Sequence, residues 1–412
     1  MPQVPRQSRS TNKRLDIRDV ARLAKVSIAT VSRTINGLDT VDKELAKRVW
    51  KAVEELNYYP NTLARSLVSG RSRIFGLLVS EITNPFFPEL IQGFEEVAVR
   101  NGYDIMIAST NYNRVRMETC VRRLLERNVE GVAVMTFGIE APMLDELASR
   151  NIPLVVIDDG PHTPNVMALT IDYRQGIRQG VQHLAALGHR EIAFVSGPLQ
   201  QRSCQFRKTA FVSSLEEIGV LLNQELLIEG DHTLEGGMKA ADRLLRMQKV
   251  PTAVMCSNDM TAIGVLRALS NAGLRVPEDM SVIGFDDIHL AQFISPPLTT
   301  VNMSRTDIAR AAFEALRANV EGITISTKGG TTLIPTTLTV RRSTGFPRGT
   351  MSHLKKPTKL QTAAQSLGPA SSTKNSSRNT ARESKLDEKV KRQILRKPKA
   401  SPMFRNRTAG TV

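Results

Sequence analysis

Polar residues follow three short apolar runs in the middle of this 412-residue chain. The acidic pair that begins at Asp158 follows PLVVI, Ser257-Asn258-Asp259 follows TAVMC, and the acidic pair that begins at Asp286 follows SVIGF. Because the carboxyl ends of parallel strands face the ligand crevice of an open sheet, we expect these side chains at one ligand site. Carboxylates and amides accept hydrogen bonds from hydroxyl groups, so the pattern favours a polyol ligand.

Three further side chains suit the same ligand. Arg207 can donate to a ring or hydroxyl oxygen, and Phe86 or Phe87 can cover the apolar face of a sugar. Structural alternatives stay open, since Asp259 can simply cap the next helix and both phenylalanines can belong to the core. The effector-binding residues predicted here are Phe86, Phe87, Asp158, Arg207, Asn258 and Asp286.

The elements that must position these residues alternate short β-branched runs with longer helical patterns, which is typical of parallel sheets with helices. The segment 74–346 is longer than one core usually needs, so we expect two lobes with a cleft between them. The predicted strands are Ile74–Val79, Tyr103–Ala108, Val132–Thr136, Leu154–Ile157, Ile192–Ser196, Leu226–Glu229, Ala253–Cys256 and Ser281–Phe285.

A different chemistry is indicated near the amino terminus, where Asp16 and Ser27 can cap two short amphipathic helices and Asp42 a third. The second helix would bury Val31 and Ile35 and present a small polar amino end that suits the major groove of DNA. Ile28, Ala29 and Arg33 are expected to set base preference, and Thr30 and Ser32 to hold phosphate. The predicted DNA contacts of this helix are Ser27, Ile28, Ala29, Thr30, Ser32, Arg33 and Asn36.

The segment from Asp16 to Asn36, continued by Asn57-Tyr58, Pro60-Asn61 and the run 64–67, resembles the amino-terminal domain of the LacI family of transcription regulators. Lys25 stands where that family usually has a glycine. If this turn needs a left-handed backbone, lysine costs roughly 1 to 2 kcal/mol there.

The middle of the chain resembles the same family through ITNPFF, LGHR, SND, VPED and IGFDD. The resemblance implies an α/β fold class: an all-α helix-turn-helix head (15–60) and a two-lobed periplasmic-binding-protein type I core with parallel sheets (74–346). It places lobe one at about 74–171 and 302–322, and lobe two at about 172–301 and 323–346. It also implies that His232 lies where relatives present an aromatic side chain to the effector, and that Arg207 precedes the effector-lobe helix.

Residues 61–73 are predicted to form a hinge helix and linker. The helix itself would comprise residues 61–67. Seven residues are fewer than the ~12 to 15 that form a stable helix alone in water, so this helix should order only with DNA and a second subunit. The resemblance implies that Leu67 wedges between base pairs in the minor groove, with Ala64 close by and Arg65 near phosphate. Tyr58 and Asn61 complete the predicted DNA-binding residues.

Charge divides the chain in the same way. Residues 1–73 carry 15 basic against 7 acidic residues, residues 347–412 carry 16 against 3, and the middle carries 25 against 30. Positive ends suit contact with phosphate, and we expect a basic disordered arm at 1–14 and a basic disordered tail at 347–412. Three scattered cysteines, no secretory signal and no long apolar run favour the cytoplasm, with no membrane partner.

Together these patterns predict a sequence-specific DNA-binding regulator, with repression as the family's default, controlled by a sugar or sugar derivative bound between the lobes. A homodimer should bind a pseudo-palindromic operator. A nucleobase or a protein coregulator stays open as the controlling partner, and a sugar-binding transport protein is a remote alternative. No enzyme motif, cofactor or metal site is predicted, because the chain lacks catalytic and phosphate-binding signatures and histidine pairs at metal spacing.

Overall fold

The computed structural model describes residues 15–37, 40–59, 70–136, 147, 149–158, 166–323 and 331–348. Within these ranges the chain forms a three-helix head and two parallel-rich sheets covered by helices. The fold is therefore mixed α/β, as the sequence predicts. No helix in the described ranges is both long and apolar enough to cross a membrane.

The head contains α1 (Ile17–Ala24), α2 (Ile28–Ile35) and α3 (Lys43–Glu55). Asp16, Ser27 and Asp42 cap the three helices by accepting hydrogen bonds from backbone amides of the first turn, which confirms the predicted starts. Their shared core is small. It consists of buried residues from all three helices: Val20, Ala21, Ala24, Val31, Val49 and Ala52.

The turn between α1 and α2 is left-handed at Lys25, whose φ and ψ are 53° and 49°. The predicted strain at this lysine is therefore present. Arg48 of α3 supports the turn, since its Nη2 donates to the carbonyl oxygens of Ala24 at 2.5 Å and Lys25 at 3.0 Å. These bonds satisfy carbonyl groups at the helix end that have no partner within α1.

The first sheet has the strand order β11-β5-β4-β3-β1-β2, and all its pairings are parallel. Helices α4 (Phe86–Arg100), α5 (Arg114–Glu126) and α10 (Arg305–Glu321) pack on it. We call this sheet and these helices the first lobe. Its strands are β1 (Ile74–Val79), β2 (Asp104–Ser109), β3 (Gly131–Met135), β4 (Leu154–Ile157), β5 (Val166–Ile171) and β11 (Thr331–Ile334).

The second sheet has the order β12-β10-β9-β8-β6-β7, with one antiparallel pairing between β10 and β12. With its helices it forms the second lobe. Its strands are β6 (Ile192–Ser196), β7 (Leu227–Glu229), β8 (Ala253–Cys256), β9 (Ser281–Asp286), β10 (Thr299–Met303) and β12 (Thr336–Thr339). Its helices are α6 (Tyr173–Ala186), α7 (Arg202–Glu217), α8 (Leu234–Leu245) and α9 (Asp259–Asn271).

All eight predicted strands are present, within one residue at each end. Four others, β5, β10, β11 and β12, were not predicted. The three near the carboxyl terminus are rich in threonine, as in TTVNM, TTLI and TTLT, so they lack the apolar runs that mark the central strands.

Two boundaries need correction. The predicted second lobe took in the whole of 323–346, but β11 pairs with β5 in the first sheet, because the chain crosses back before β12 joins β10. The tail was predicted to begin at residue 347, but Arg348 is held to the second lobe: its Nε donates to Asp279 at 2.8 Å. The ordered core therefore extends slightly beyond the predicted end.

Candidate functional site

Helix α2 exposes the side chains that the sequence assigns to base contact. Ile28 is 47% exposed, and Ala29 and Arg33 are exposed beside it, whereas Val31 faces the core. The Ser27 hydroxyl accepts from the Thr30 amide at 3.0 Å and lies 2.9 Å from the Thr30 hydroxyl. The cap thus fixes two polar side chains at the amino end of the helix, where they can meet phosphate.

Of the other predicted DNA contacts, Asn36 and Tyr58 lie among the described residues. Asn36 is exposed at the end of α2, and its Nδ2 donates to the half-buried Ser32 hydroxyl at 3.4 Å. Tyr58 is half-buried against the head core, so part of its ring has a structural role. The hinge contacts Asn61, Ala64, Arg65 and Leu67 lie outside the described residues.

The linker that follows the predicted hinge helix is anchored to the first lobe. Arg71 donates from Nη2 to the Tyr103 hydroxyl at 2.7 Å and pairs with Glu130 at 2.9 Å. The Glu130 carboxylate also accepts from the Arg73 amide at 2.7 Å. Residues 71 and 73 are thus fixed on the lobe, immediately before β1 begins.

Three of the predicted effector-binding residues, Asp158, Asn258 and Asp286, lie at the carboxyl ends of strands, as expected. In each sheet the strand order reverses beside a central strand, between β1 and β3 and between β6 and β8. Ligands of open α/β sheets bind at such switch points. The residues that follow β8 lie at the switch point of the second sheet, and those that follow the neighbouring β9 lie beside them.

Arg207 lies inside helix α7 and not before it, as the family resemblance implied, because the helix already begins at Arg202. It is buried in the second lobe, with 3% of its surface exposed. Its guanidinium lies over two rings, 4.2 Å from the centroid of Phe285 and 4.8 Å from that of Tyr173, and its Nη1 donates to the Ser257 carbonyl. Its Nε has no hydrogen-bond partner among the described residues. A buried cation with an unused donor is suited to a ligand that brings an acceptor.

Asp286 ends β9 and is 4% exposed, and burial raises the pKa of its carboxyl to about 7 although the nearby Arg207 lowers it. The neighbouring Asp259 is hydrogen-bonded within the protein. Its carboxylate accepts from the Ile288 amide at 2.9 Å and from the Thr300 hydroxyl at 2.5 Å. Asp286 is therefore the better placed of the two to meet a ligand.

Asn258 caps α9, so the cap lies one residue earlier than the Asp259 alternative. Its side chain accepts from the Thr261 amide at 2.9 Å and donates to the His232 carbonyl at 3.0 Å. His232 Nε2 lies 2.9 Å from the Ser257 hydroxyl and 3.7 Å from Cys204 Sγ. Burial, followed by the charge of Arg207, lowers the pKa of His232 to about 3, so its ring is neutral near pH 7.

Asp158 follows β4 in the first lobe and accepts from the Tyr173 hydroxyl at 2.7 Å. Burial raises its pKa to about 6, and its Oδ1 has no hydrogen-bond partner among the described residues. It borders a cavity of about 570 Å³ that is also lined by Tyr173, Arg202 and Phe206. The Phe206 ring is 43% exposed and stacks on Tyr173 with 6.5 Å between centroids.

Phe86 and Phe87 are each only 3% exposed and pack edge to face in the core at the start of α4. The structure favours the core alternative for both rings, and contact with an effector stays a prediction. Two cleft residues were missed by sequence reasoning, Tyr173 and Phe206. The signal that could have found Tyr173 is the Asp172-Tyr173 pair at the end of β5, a strand that was itself not predicted.

Comparison with known proteins agrees with both halves of this arrangement. A sequence profile described as bacterial regulatory proteins, lacI family, matches residues 16–61, and one described as periplasmic binding protein-like domain matches residues 181–344. A relative from Photobacterium profundum, named HTH-type transcriptional repressor PurR, is 37% identical over 306 residues, covering 74% of this chain and 92% of the relative. The chain belongs to the LacI family of transcription regulators.

Solved structures of this family resemble the described chain. The lac repressor dimer bound to operator and the anti-inducer ONPF has 28% identity and a TM-score of 0.72, covering 81% of this chain and 100% of that one. The transcriptional regulator CelR in complex with cellobiose has 30% identity and a TM-score of 0.61, covering 80% and 100%. As a LacI-family member, the chain is a DNA-binding transcriptional repressor and not an enzyme.

Proposed function

We propose that this repressor is controlled by a small molecule bound between its lobes, where Arg207, Asp158 and Asp286 supply the recognition. The observation that carries this proposal is the buried guanidinium of Arg207, which has an unused donor. Its charge offsets part of the effect of burial, which raises the pKa of both carboxyl groups. Buried charges of this kind are retained where a ligand completes their pairing.

The effector that best fits this site is a planar nitrogen heterocycle of the nucleobase class. Its ring N–H groups can donate to the two carboxylates, its carbonyl or ring nitrogen can accept from Arg207, and its flat face can stack on an aromatic ring. Neutral amide groups, which would suit a polyol, are less accessible, because both ends of the Asn258 amide already bond within the protein. Two relatives that are 37% and 38% identical to this chain are also named PurR.

A sugar is the second candidate. It is favoured by the structural likeness to a regulator solved with cellobiose, and carboxylates with an arginine also bind hydroxyl groups. A protein coregulator is the third. In each case two reading heads of a homodimer would bind a pseudo-palindromic operator in the cytoplasm.

Thermal unfolding of the full chain with guanine, adenine, uracil, ribose and cellobiose separates these candidates. A compound at 100 times its dissociation constant stabilises its target by about 2.7 kcal/mol. Stabilisation by a nucleobase alone supports the proposal, and stabilisation by a sugar alone transfers it to the second candidate. No stabilisation by any compound contradicts small-molecule control and favours the coregulator.

The hinge contacts belong to the same proposal. We expect Leu67 to wedge into the minor groove, with Asn61, Ala64 and Arg65 beside it, when the operator and a second subunit order the segment. Leu67→Ala should weaken specific operator binding about tenfold or more and leave effector affinity unchanged. Equal operator binding by this variant would remove the wedge from the proposal.

A further inference from the structure

An ion pair of the first lobe contacts the backbone at Asp286, the last residue of β9. Arg305 begins α10 and Glu89 lies in the first turn of α4, and Arg305 Nε is 2.9 Å from Glu89 Oε2. Helices α4 and α10 pack on each other and on the first sheet. The two side chains are 15% and 27% exposed, so water screens the pair less than it screens the surface pairs of the same helices.

This pair forms hydrogen bonds to three backbone groups of the turn that follows β9, residues 286–289 of the second lobe. Arg305 Nη1 donates to the Asp286 carbonyl, and its Nη2 donates to the Asp287 carbonyl at 2.7 Å. The second carboxylate oxygen of Glu89 accepts from the His289 amide at 2.9 Å. The planar fork of a guanidinium suits two neighbouring carbonyl groups, which a lysine could not bind in the same way.

The turn needs such support, because Asp286 and Asp287 both have positive φ, at 113° and 55°. Backbone of this kind costs energy and persists where its surroundings fix it. The other described bonds to the turn come from the second lobe: Asp287 pairs with Arg341 at 2.6 Å and accepts from Asn302 at 2.9 Å. Among the described contacts, Glu89 and Arg305 are what connect the turn to the first lobe.

We propose that Glu89 and Arg305 form an interlobe clasp, which couples the backbone of the effector-contacting Asp286 to the first lobe and thereby to operator affinity. The inference rests on the proposed function, in which Asp286 meets the effector. Glu89 and Arg305 are positioning residues in this scheme. A ligand that shifts the Asp286 peptide changes the clasp, and the clasp moves α4 and α10.

Helix α10 continues from the clasp toward the linker. Its 17 residues span about 25 Å, and Phe313 in its middle packs on Tyr103 with 5.7 Å between ring centroids. Tyr103 accepts from Arg71 at 2.7 Å, and Arg71 belongs to the linker that follows the hinge. Packed helices and hydrogen bonds therefore connect the clasp to the linker without interruption, and the energy that this connection carries is measured by the coupling between substitutions.

The test measures the affinity of the full chain for a duplex obtained by binding-site selection, with no effector present. The variants are Arg305→Gln, Arg305→Lys, Glu89→Gln and the double variant Arg305→Gln/Glu89→Gln. Arg310→Gln is the matched control, because Arg310 pairs with Asp307 at 3.1 Å on the exposed face of the same helix. We expect at least about fivefold weaker binding for Arg305→Gln, the lower end of typical allosteric coupling.

The pattern across variants identifies the clasp. The double variant should bind operator no more weakly than Arg305→Gln, because both substitutions remove the same interaction. Arg305→Lys should not restore the affinity, because a lysine cannot bind both carbonyl groups. Hydrogen exchange of the 286–289 peptide should change when operator is added to the wild type and not to Arg305→Gln. Arg310→Gln should behave as the wild type in every assay.

Affinities within twofold of the control, additive losses, tighter operator binding, or full rescue by lysine would each overturn the clasp. Glu89→Gln keeps the test decisive if the arginine variants unfold, because glutamine preserves the size of the side chain. These measurements use no effector, so a failed ligand panel would remove the proposed function and leave the operator results to decide the clasp.

Discussion

Helix α2 and the cleft present their predicted contact residues in opposite ways. On α2, Ile28, Ala29 and Arg33 are exposed to water, whereas Arg207 and Asp286 in the cleft are 3% and 4% exposed. Each exposed group contributes little binding free energy alone, so many contacts over the surface of a duplex are needed for tight binding. Buried groups interact strongly but must be paired, so the cleft can respond to one small molecule.

This contrast predicts that single substitutions affect the cleft most. Arg207→Met keeps the approximate volume of the side chain and removes its charge and donors. Because a hydrogen bond to a charged group contributes about 1.5 to 3 kcal/mol, we expect effector affinity to fall about 10- to 150-fold. Calorimetric titration with the stabilising compound of the panel measures this loss.

Arg178→Met is the control for this substitution, since Arg178 is an exposed arginine of the same lobe that pairs with Glu217 at 2.7 Å. Operator affinity without effector should be equal in both variants. If Arg207→Met binds effector as well as the control does, the ligand does not use this cation.

The reading head should respond in specificity more than in affinity. Arg33→Ala should relax base preference at one position of the selected operator, a change of about 1 to 3 kcal/mol in discrimination, and leave the salt slope nearly unchanged. Lys51→Ala, at an exposed lysine of α3, should leave the base preference intact. Binding-site selection with each variant checks this, and identical base preferences for wild type and Arg33→Ala would contradict base contact.

Burial also makes the cleft sensitive to pH. The pKa of Asp158 is raised to about 6, so the folded state holds its proton more tightly than the unfolded chain does. The contribution of the Asp158 carboxyl to the free energy of unfolding is therefore largest at low pH. It falls by at most about 3 kcal/mol as the pH rises from about 4 to 6. Asp158→Asn stays neutral, and should gain stability over wild type across that window.

Melting temperatures of the two proteins between pH 4 and 7 measure the difference. Asp104→Asn makes the same replacement at an exposed aspartate of β2 and is the matched control. Parallel curves for wild type and Asp158→Asn would mean that this carboxyl is not desolvated in solution.

The same contrast explains what the sequence could predict. Helix starts at Asp16, Ser27 and Asp42 depend on neighbours three residues away, and all three were predicted. The environment of Arg207 depends on Ser257, fifty residues later, and no local pattern reveals that contact. Motif resemblance supplied this residue, but its bonds and neighbours came from the fold.

Strand assignment shows the same limit. The pattern of β-branched runs predicted the central strands, but β11 joins the first sheet beside β5, from which it is separated by more than 150 residues of chain. Such pairing is decided by the way the chain crosses between lobes, and periodicity does not report it. Tyr173 was missed for the related reason that β5, which places it, was not predicted.

The smallest expected effect tests Lys25, a position of the head with a left-handed backbone. Lys25→Gly should stabilise the head by about 0.5 to 1 kcal/mol, because glycine adopts the left-handed turn freely while its greater entropy in the unfolded chain offsets part of the gain. Lys25→Ala is the matched control: it removes the same charge but keeps the Cβ that causes the strain. Any loss of phosphate attraction is therefore equal in both variants, and their difference in thermal unfolding isolates the backbone. Equal stability would mean that the Arg48 bonds to the Ala24 and Lys25 carbonyls, and not the residue at the turn, determine its conformation.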